Sequence, residues 1–338
     1  MTFQDILTLL AQKKNLTQEQ ATRAFQIIMN GGATPAQMAA FLMGLRMKGE
    51  TAEEITAGAL VMRTKAAKLH APEGCMDTCG TGGDARGTYN ISTAAALVLA
   101  ACGVPVAKHG NRSVSSRSGS ADVLAALGIK IDAEIPVLER CLRECHIAFL
   151  HAPKFHSAMR HVAPVRQELG LRTVFNLIGP LANPAAPAYQ LVGVYSETWL
   201  EPMAQALHQL GCKAAWVVHG SDGLDELTLT GATQVAALHD GTITRFEITP
   251  EDAGLKRASL EELKGGDAEH NAAALRDAIS GMDSAYRRAV VLNSAAALVV
   301  CGRASGLIEA AAMASHAIDS GEAFRTLQKL QLISYERS

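Results

Sequence analysis

Asp77-Thr-Cys-Gly-Thr-Gly-Gly-Asp84, continued by Thr88-Tyr-Asn-Ile-Ser-Thr93, joins a short strand to a helix that begins near Ser92. A strand, a Gly-rich turn and a helix make the opening unit of an α/β sheet, and the chain beyond them keeps alternating. Apolar runs at 104–107, 190–195 and 214–218 read as strands, and 92–102, 201–210 and 268–279 as helices. The stretch 235–248 reads as a hairpin about Asp240-Gly241. Before this unit the pattern is helical only. Thr17 with Gln20, Thr34 with Gln37 and Thr51 with Glu54 each set a hydroxyl three residues ahead of an amide or carboxylate, the signature of a capped helix start. Pro72 closes this region. The predicted organisation is an all-helical N-terminal domain over 1–70 followed by an α/β domain over 71–338. Asn183-Pro-Ala-Ala-Pro187 is the one stretch that resembles a linker.

The chemistry lies on three loops that follow predicted strands. Gly80, Gly82 and Gly83 lack Cβ atoms, so their amides can form an anion nest beside a helix start. The same residues also suit a plain strand-to-helix turn. Lys108-His-Gly-Asn-Arg-Ser-Val-Ser-Ser116 supplies two cations and several hydroxyls, with Ser120 beyond, a composition suited to polyphosphate. His219-Gly-Ser-Asp-Gly-Leu-Asp-Glu-Leu227 sets Asp225 beside Glu226. Adjacent carboxylates repel unless a cation separates them, and phosphate oxygens with one or two carboxylates form the usual Mg2+ environment.

Composition excludes other classes. With 31 basic and 33 acidic residues the formal charge is −2, so no global field favours nucleic acid or an anionic membrane. No apolar run approaches the ~20 residues of a membrane span, and the start, Met-Thr-Phe-Gln-Asp, lacks a secretion signal, so the cytoplasm is expected. Seven scattered cysteines form neither a zinc pattern nor a disulfide framework. His151, His156 and His161 recur every fifth residue, which shares no helix or strand face and does not favour a common metal.

Taken together, 77–93, 108–128, Pro164-Val-Arg-Gln-Glu-Leu-Gly-Leu-Arg-Thr-Val-Phe-Asn-Leu-Ile-Gly-Pro-Leu-Ala-Asn-Pro184 and 219–227 closely resemble the anthranilate phosphoribosyltransferases. The resemblance implies the class II nucleoside phosphorylase fold, a homodimer, and a site between the domains, with a stretch near 165–187 returning to the helical domain. It assigns Gly80, Gly83, Asp84, Thr88, Asn90, Ile91, Ser92 and Thr93 to phosphoribosyl diphosphate. The same role extends to the run Lys108, His109, Gly110, Asn111, Arg112, Ser113, Val114, Ser115 and Ser116, and to Ser120. Gly80, His109, Asn111, Ala152, Pro153, His156, Met159 and Arg166 fall to anthranilate. Ser92, Asp225 and Glu226 fall to Mg2+, two ions per subunit, with Lys108, Asp225 and Glu226 the catalytic set. Arg86 departs from the pattern, which commonly has a smaller residue there. A pyrimidine-nucleoside phosphorylase on the same scaffold has less need of the Asp225-Glu226 pair, and a nucleic-acid binder would be basic.

Overall fold

Threonine starts each of the first four helices of the structure, a computed structural model that describes residues 1–84, 86–112 and 117–336. Thr2, Thr17, Thr34 and Thr51 accept from the third residue of α1 (Phe3–Ala11), α2 (Gln18–Met29), α3 (Pro35–Lys48) and α4 (Ala52–Lys65), and that residue's side chain returns to the threonine amide. Each such box satisfies two helix-start donors that are otherwise orphaned. Helix α1 adds to the expected set because its partner residue is Asp5, not Glu or Gln.

The α/β part is one seven-stranded sheet ordered β3-β2-β1-β4-β5-β6-β7: β1 (Met76–Gly80), β2 (Val106–Gly110), β3 (Ile147–His151), β4 (Tyr189–Gly193), β5 (Ala214–Gly220), β6 (Thr233–His239) and β7 (Thr242–Ile248). Strands β1 to β5 run parallel and β5 to β7 antiparallel. The last two form the expected hairpin, turned at Asp240 and Gly241, both at positive φ. Strand order reverses at β1, whose neighbours are β2 and β4. Ligands of parallel α/β sheets lie at such a reversal, outside the strands' C-terminal ends. One expectation shifts here: Lys108, His109 and Gly110 belong to β2 instead of following it, because they pair in register with Phe149, Leu150 and His151 of β3.

Two apolar cores flank the sheet. One packs α5 (Ile91–Ala101) and the C-terminal helices on one face; the other joins α1 to α4 with Val165, Phe175, Ile178 and the helix Leu200–Gln209 on the opposite face. Contact between α4 and the helix Val174–Leu181 depends on Gly58, where a Cβ would fall 2.3 Å from Ile178 Cδ1. No helix among the described residues is long and apolar enough to cross a membrane.

The linker reading of 183–187 needs correction at Asn183. This residue is fully buried, and its amide donates to Asp77 Oδ2 and to the Ala107 carbonyl, both at 2.8 Å. It pins the chain to β1 and β2 just where composition indicates a flexible segment.

Candidate active site

The loop from β1 to α5 needs glycine because a carboxylate lies against it. A Cβ on Gly80 would fall 2.3 Å from Asp225 Oδ2, and one on Gly193 would fall 1.5 Å from the Asp225 carbonyl oxygen. Asp225 Oδ2 accepts from the Gly82 amide at 2.6 Å. Glu226 Oε1 accepts from the Ser92 amide at 3.1 Å, so the first turn of α5 already holds a carboxylate, the favoured charge there. The expected supply of free helix-start donors is therefore smaller than composition implies: Ile91 N is also used, on the Tyr89 carbonyl.

Asp225 and Glu226 sit on a rigid platform. Asp222 accepts from the hydroxyls of Thr228 and Thr230 at 2.6 and 2.9 Å. Fully buried Asn293 brackets Leu227, its Oδ1 accepting from the Leu227 amide and its Nδ2 donating to the Leu227 carbonyl, each at 3.0 Å. These bonds hold the backbone on either side of the two carboxylates. Burial first, then the neighbouring Asp84, push the Asp225 carboxyl up to about 7. Burial, then Asp225, push Glu226 up to about 8. Lys108 offsets part of this, yet its ammonium is only 2% exposed and donates inward, to the Thr78 carbonyl at 2.6 Å and Ser92 Oγ at 3.4 Å. Lys108 is a single charge against Asp77, Asp225 and Glu226, so ionisation of the carboxyls leaves negative charge unbalanced at this point. A divalent cation fits such a donor set. Among the described residues no group of His, Cys, Asp or Glu is spaced to hold a metal by protein ligands alone. Water or phosphate would have to complete the shell.

The other expected donor residues are dispersed. Thr88 bridges Lys264, and Asn90 is held by Asn271 Nδ2 at 3.0 Å and by the Tyr286 hydroxyl at 3.1 Å. Ile91 and Thr93 are buried, so their side chains face the core. Gly110 lets Ser120 approach, Ser120 Oγ lying 2.3 Å from where a Cβ would be. Arg112 pairs with Asp122 at 2.8 Å and Asn111 Oδ1 accepts from the Arg112 amide at 2.8 Å. Ser113, Val114, Ser115 and Ser116 lie outside the described residues.

A different chemistry lines the β2 and β3 side. His109 and His156 meet edge to face, ring centres 5.2 Å apart, and the Nε2 of each is buried without a hydrogen-bond partner. Burial, then His156, lower the His109 imidazole to about 3; burial lowers His156 to about 4. Both are neutral rings. Ala152 accepts from the His156 amide at 2.9 Å, with Pro153 in the same short helix, and Met159 lies in the following 3-10 turn. Arg166 is partly buried, its guanidinium 5.6 Å from the centre of the Phe175 ring. Among the described residues no carboxylate pairs with it, nor is it hydrogen-bonded to His109 or Asn111. A desolvated guanidinium without an acid partner is disposed to take a carboxylate from a ligand.

Sequence reasoning missed the residues that brace this site. Asn293, Asn183 and Arg172 act through partners far along the chain and Asp222 through hydroxyls six and eight residues on; Asn183, Arg172 and Asp222 lie inside the quoted 164–184 and 219–227 stretches, while Asn293 carried no signal.

The helical bundle domain of a glycosyl transferase family matches residues 4–66, and the a/b domain of that family matches residues 73–324. An anthranilate phosphoribosyltransferase of Rhodospirillum rubrum is 57% identical over 325 residues, 96% of this chain and 94% of that protein. The crystal structure of the Thermus thermophilus anthranilate phosphoribosyltransferase superposes with a TM-score of 0.93 at 43% identity, covering 98% of this chain and 99% of that one. The Saccharomyces cerevisiae enzyme in complex with phosphoribosyl diphosphate and Mg gives a TM-score of 0.89 at 26% identity, over 98% and 97% of the two chains. Its complex with 4-fluoroanthranilate gives 0.88 at 25%, over 98% of each. Matches to both domain models that together span most of the chain, with identity above half over 94% of a relative, place this chain among the anthranilate phosphoribosyltransferases of the glycosyl transferase family.

Proposed function

We propose that this chain transfers the phosphoribosyl group of phosphoribosyl diphosphate to the amine of anthranilate, releasing diphosphate, as a step of tryptophan biosynthesis. The observation that supports this reading is the set of buried carboxylates held against a Gly-rich loop, in a chain that also carries a partly buried guanidinium, Arg166, with no carboxylate partner among the described residues. The related yeast enzyme has been solved with the donor and Mg, and with a fluorinated acceptor.

On the donor wall, Asp225, Glu226 and Ser92 hold Mg2+, two ions per subunit, which when bound supplies charge neutralisation for the departing diphosphate. The Gly83 amide and the side chains of Asn90 and Ser120 orient the phosphoribosyl diphosphate, and Lys108 adds a positive charge behind Ser92. On the acceptor wall Arg166 takes the carboxylate of anthranilate through its forked donors, while Asn111, His109, His156 and Met159 set the ring. Displacement at the anomeric carbon passes through an oxocarbenium-like state. An aromatic amine is unprotonated at neutral pH, so no strong base is needed before attack, in keeping with imidazoles whose proton affinity burial has lowered. The segment 165–187 belongs with the 1–70 helical layer, the chain acts as a homodimer through that layer, and it works in the cytoplasm.

Product identification tests the assignment. Mass spectrometry after incubation with anthranilate, phosphoribosyl diphosphate and Mg2+ should show phosphoribosylanthranilate, and incubation with a pyrimidine nucleoside and phosphate should show no cleavage. The reverse result would make the chain a phosphorylase.

A further inference from the structure

Between Arg166 and the donor loop runs a short arm whose last side chain, Arg172, touches neither substrate in the account above. The helix Ala163–Leu169 ends on Gly170, at φ 60, whose amide donates to the Arg166 carbonyl at 3.2 Å. Thr173 then caps the helix Val174–Leu181, its amide donating to Asn176 Oδ1 at 3.0 Å. Only Leu171 and Arg172 lie between these two fixed ends, so the arm has little freedom to bend. Arg166 is further held on Phe175, in the second helix.

Arg172 reaches away from this arm to the donor side. Its guanidinium stacks on the Tyr195 ring, 4.3 Å from the centroid, and its Nη2 donates to the Gly83 carbonyl. Gly83 is at φ 74, and a Cβ there would come within 3.2 Å of Arg172 Nε. The Tyr195 amide in turn donates to Thr81 Oγ1 at 3.1 Å. One stacked pair thus holds both ends of Thr81-Gly82-Gly83, whose middle amide is on Asp225. A shift of the donor loop must move Arg172, and a shift of Arg172 must turn the arm that carries Arg166.

We propose that Arg172 is a positioning residue that couples the two substrate sites, so that each substrate raises the affinity for the other. The proposal rests on the reading of Arg166 and the Gly-rich loop given above. Coupling of this kind is reciprocal by thermodynamic necessity.

Calorimetry with unreactive pairs measures it. The acceptor probe is 2-hydroxybenzoate, which has the ring and carboxylate but no amine; the donor probe is phosphoribosyl diphosphate with Mg2+. In the native protein each probe should tighten the other by the same factor, about fivefold or more. In Arg172→Gln the factor should fall to near one, with each probe's affinity alone changed by less than about twofold. Tyr195→Phe keeps the ring and should keep the factor; Tyr195→Leu should lose it, which serves if Arg172→Gln folds poorly. Arg172→Lys retains charge but not the planar stack and should restore only part. An unchanged factor in both Arg172→Gln and Tyr195→Leu, or a native factor of one, would overturn the coupling. Failure of either probe to bind the native protein would instead remove the reading of the site on which it rests.

Discussion

The two walls of the site use charge in opposite ways. On the donor wall, Asp225 and Glu226 are forced together, and the nearest cation, Lys108, is buried and engaged internally. On the acceptor wall the imidazoles of His109 and His156 are neutral and one guanidinium, Arg166, rests on an aromatic ring with no acid partner among the described residues. In the proposed reading the first arrangement takes a cation and, through it, a polyanion, and the second takes a single carboxylate. Charge on the donor wall is therefore part of the folded structure, while charge on the acceptor wall is held ready for a ligand.

The strongest way to break this contrast is to neutralise the donor carboxylates. Asp225→Asn with Glu226→Gln should fold normally, since burial works against charge on both groups, yet turnover should fall at least about a hundredfold, from loss of roughly 2.7–4 kcal/mol of electrostatic stabilisation. Near-native turnover at saturating Mg2+, in a steady-state assay, would sink the metal assignment.

Arg166→Ala sharpens the acceptor half. Removing a charge-assisted hydrogen bond worth about 1.5–3 kcal/mol should raise the anthranilate KM roughly ten- to hundredfold, with the phosphoribosyl diphosphate KM little changed. Aniline, which lacks the carboxylate, should be a poor acceptor for the native protein and lose little more on substitution. Equal losses for both acceptors would assign Arg166 to the fold or to the donor.

Lys108→Ala tests whether donor-wall charge is structural. It leaves Asp77 and Glu226 without their buried counter-charge, so urea unfolding should show a loss of about 3 kcal/mol along with weaker donor use, whereas Arg166→Ala should cost under about 1 kcal/mol. Equal stability of the two variants would erase the distinction.

The smallest effect is in pH. Folded-state pKa values of Asp225 and Glu226 raised to about 7 and about 8 mean that Mg2+-free protein loses stability as pH rises through that range. Imidazoles lowered to about 3 and about 4 mean that it loses stability as pH falls below the ordinary histidine range. Melting temperatures of the Mg2+-free protein from pH 5 to 9 should fall as pH rises above the ordinary histidine value of 6.5, the two pairs offsetting one another below it, so that the acid limb emerges once the carboxylates are replaced. The alkaline limb should vanish in the double carboxylate variant and the acid limb there weaken on adding His109→Gln with His156→Gln; an alkaline limb that survives the first substitution would contradict the raised values.

Much of this was legible in the sequence, for reasons that differ by residue. The helix starts at Thr17, Thr34 and Thr51 and the turn at Asp240-Gly241 depend on neighbours within three positions, and the structure has them as expected. Asp225 beside Glu226 was visible because adjacency is itself the anomaly. What was hidden depends on distant partners. Asn183 looks like part of a Pro-rich linker until Asp77 and Ala107 are brought to it across the sheet, and Asn293 is an unremarked polar residue in an apolar helix until it meets Leu227. Lys108 read as a loop cation, but the pairing of β2 with β3 turns it inward.

The central claim is that the carboxylate wall and the guanidinium wall serve one transfer reaction. Anthranilate fluorescence, followed with the native protein while phosphoribosyl diphosphate and Mg2+ are added in turn, tests it most directly. Fluorescence should stay constant with either addition alone, decay when both are present, and on the same timescale stay constant in Asp225→Asn with Glu226→Gln. Decay without phosphoribosyl diphosphate, or an undiminished rate in the double variant, would contradict the account.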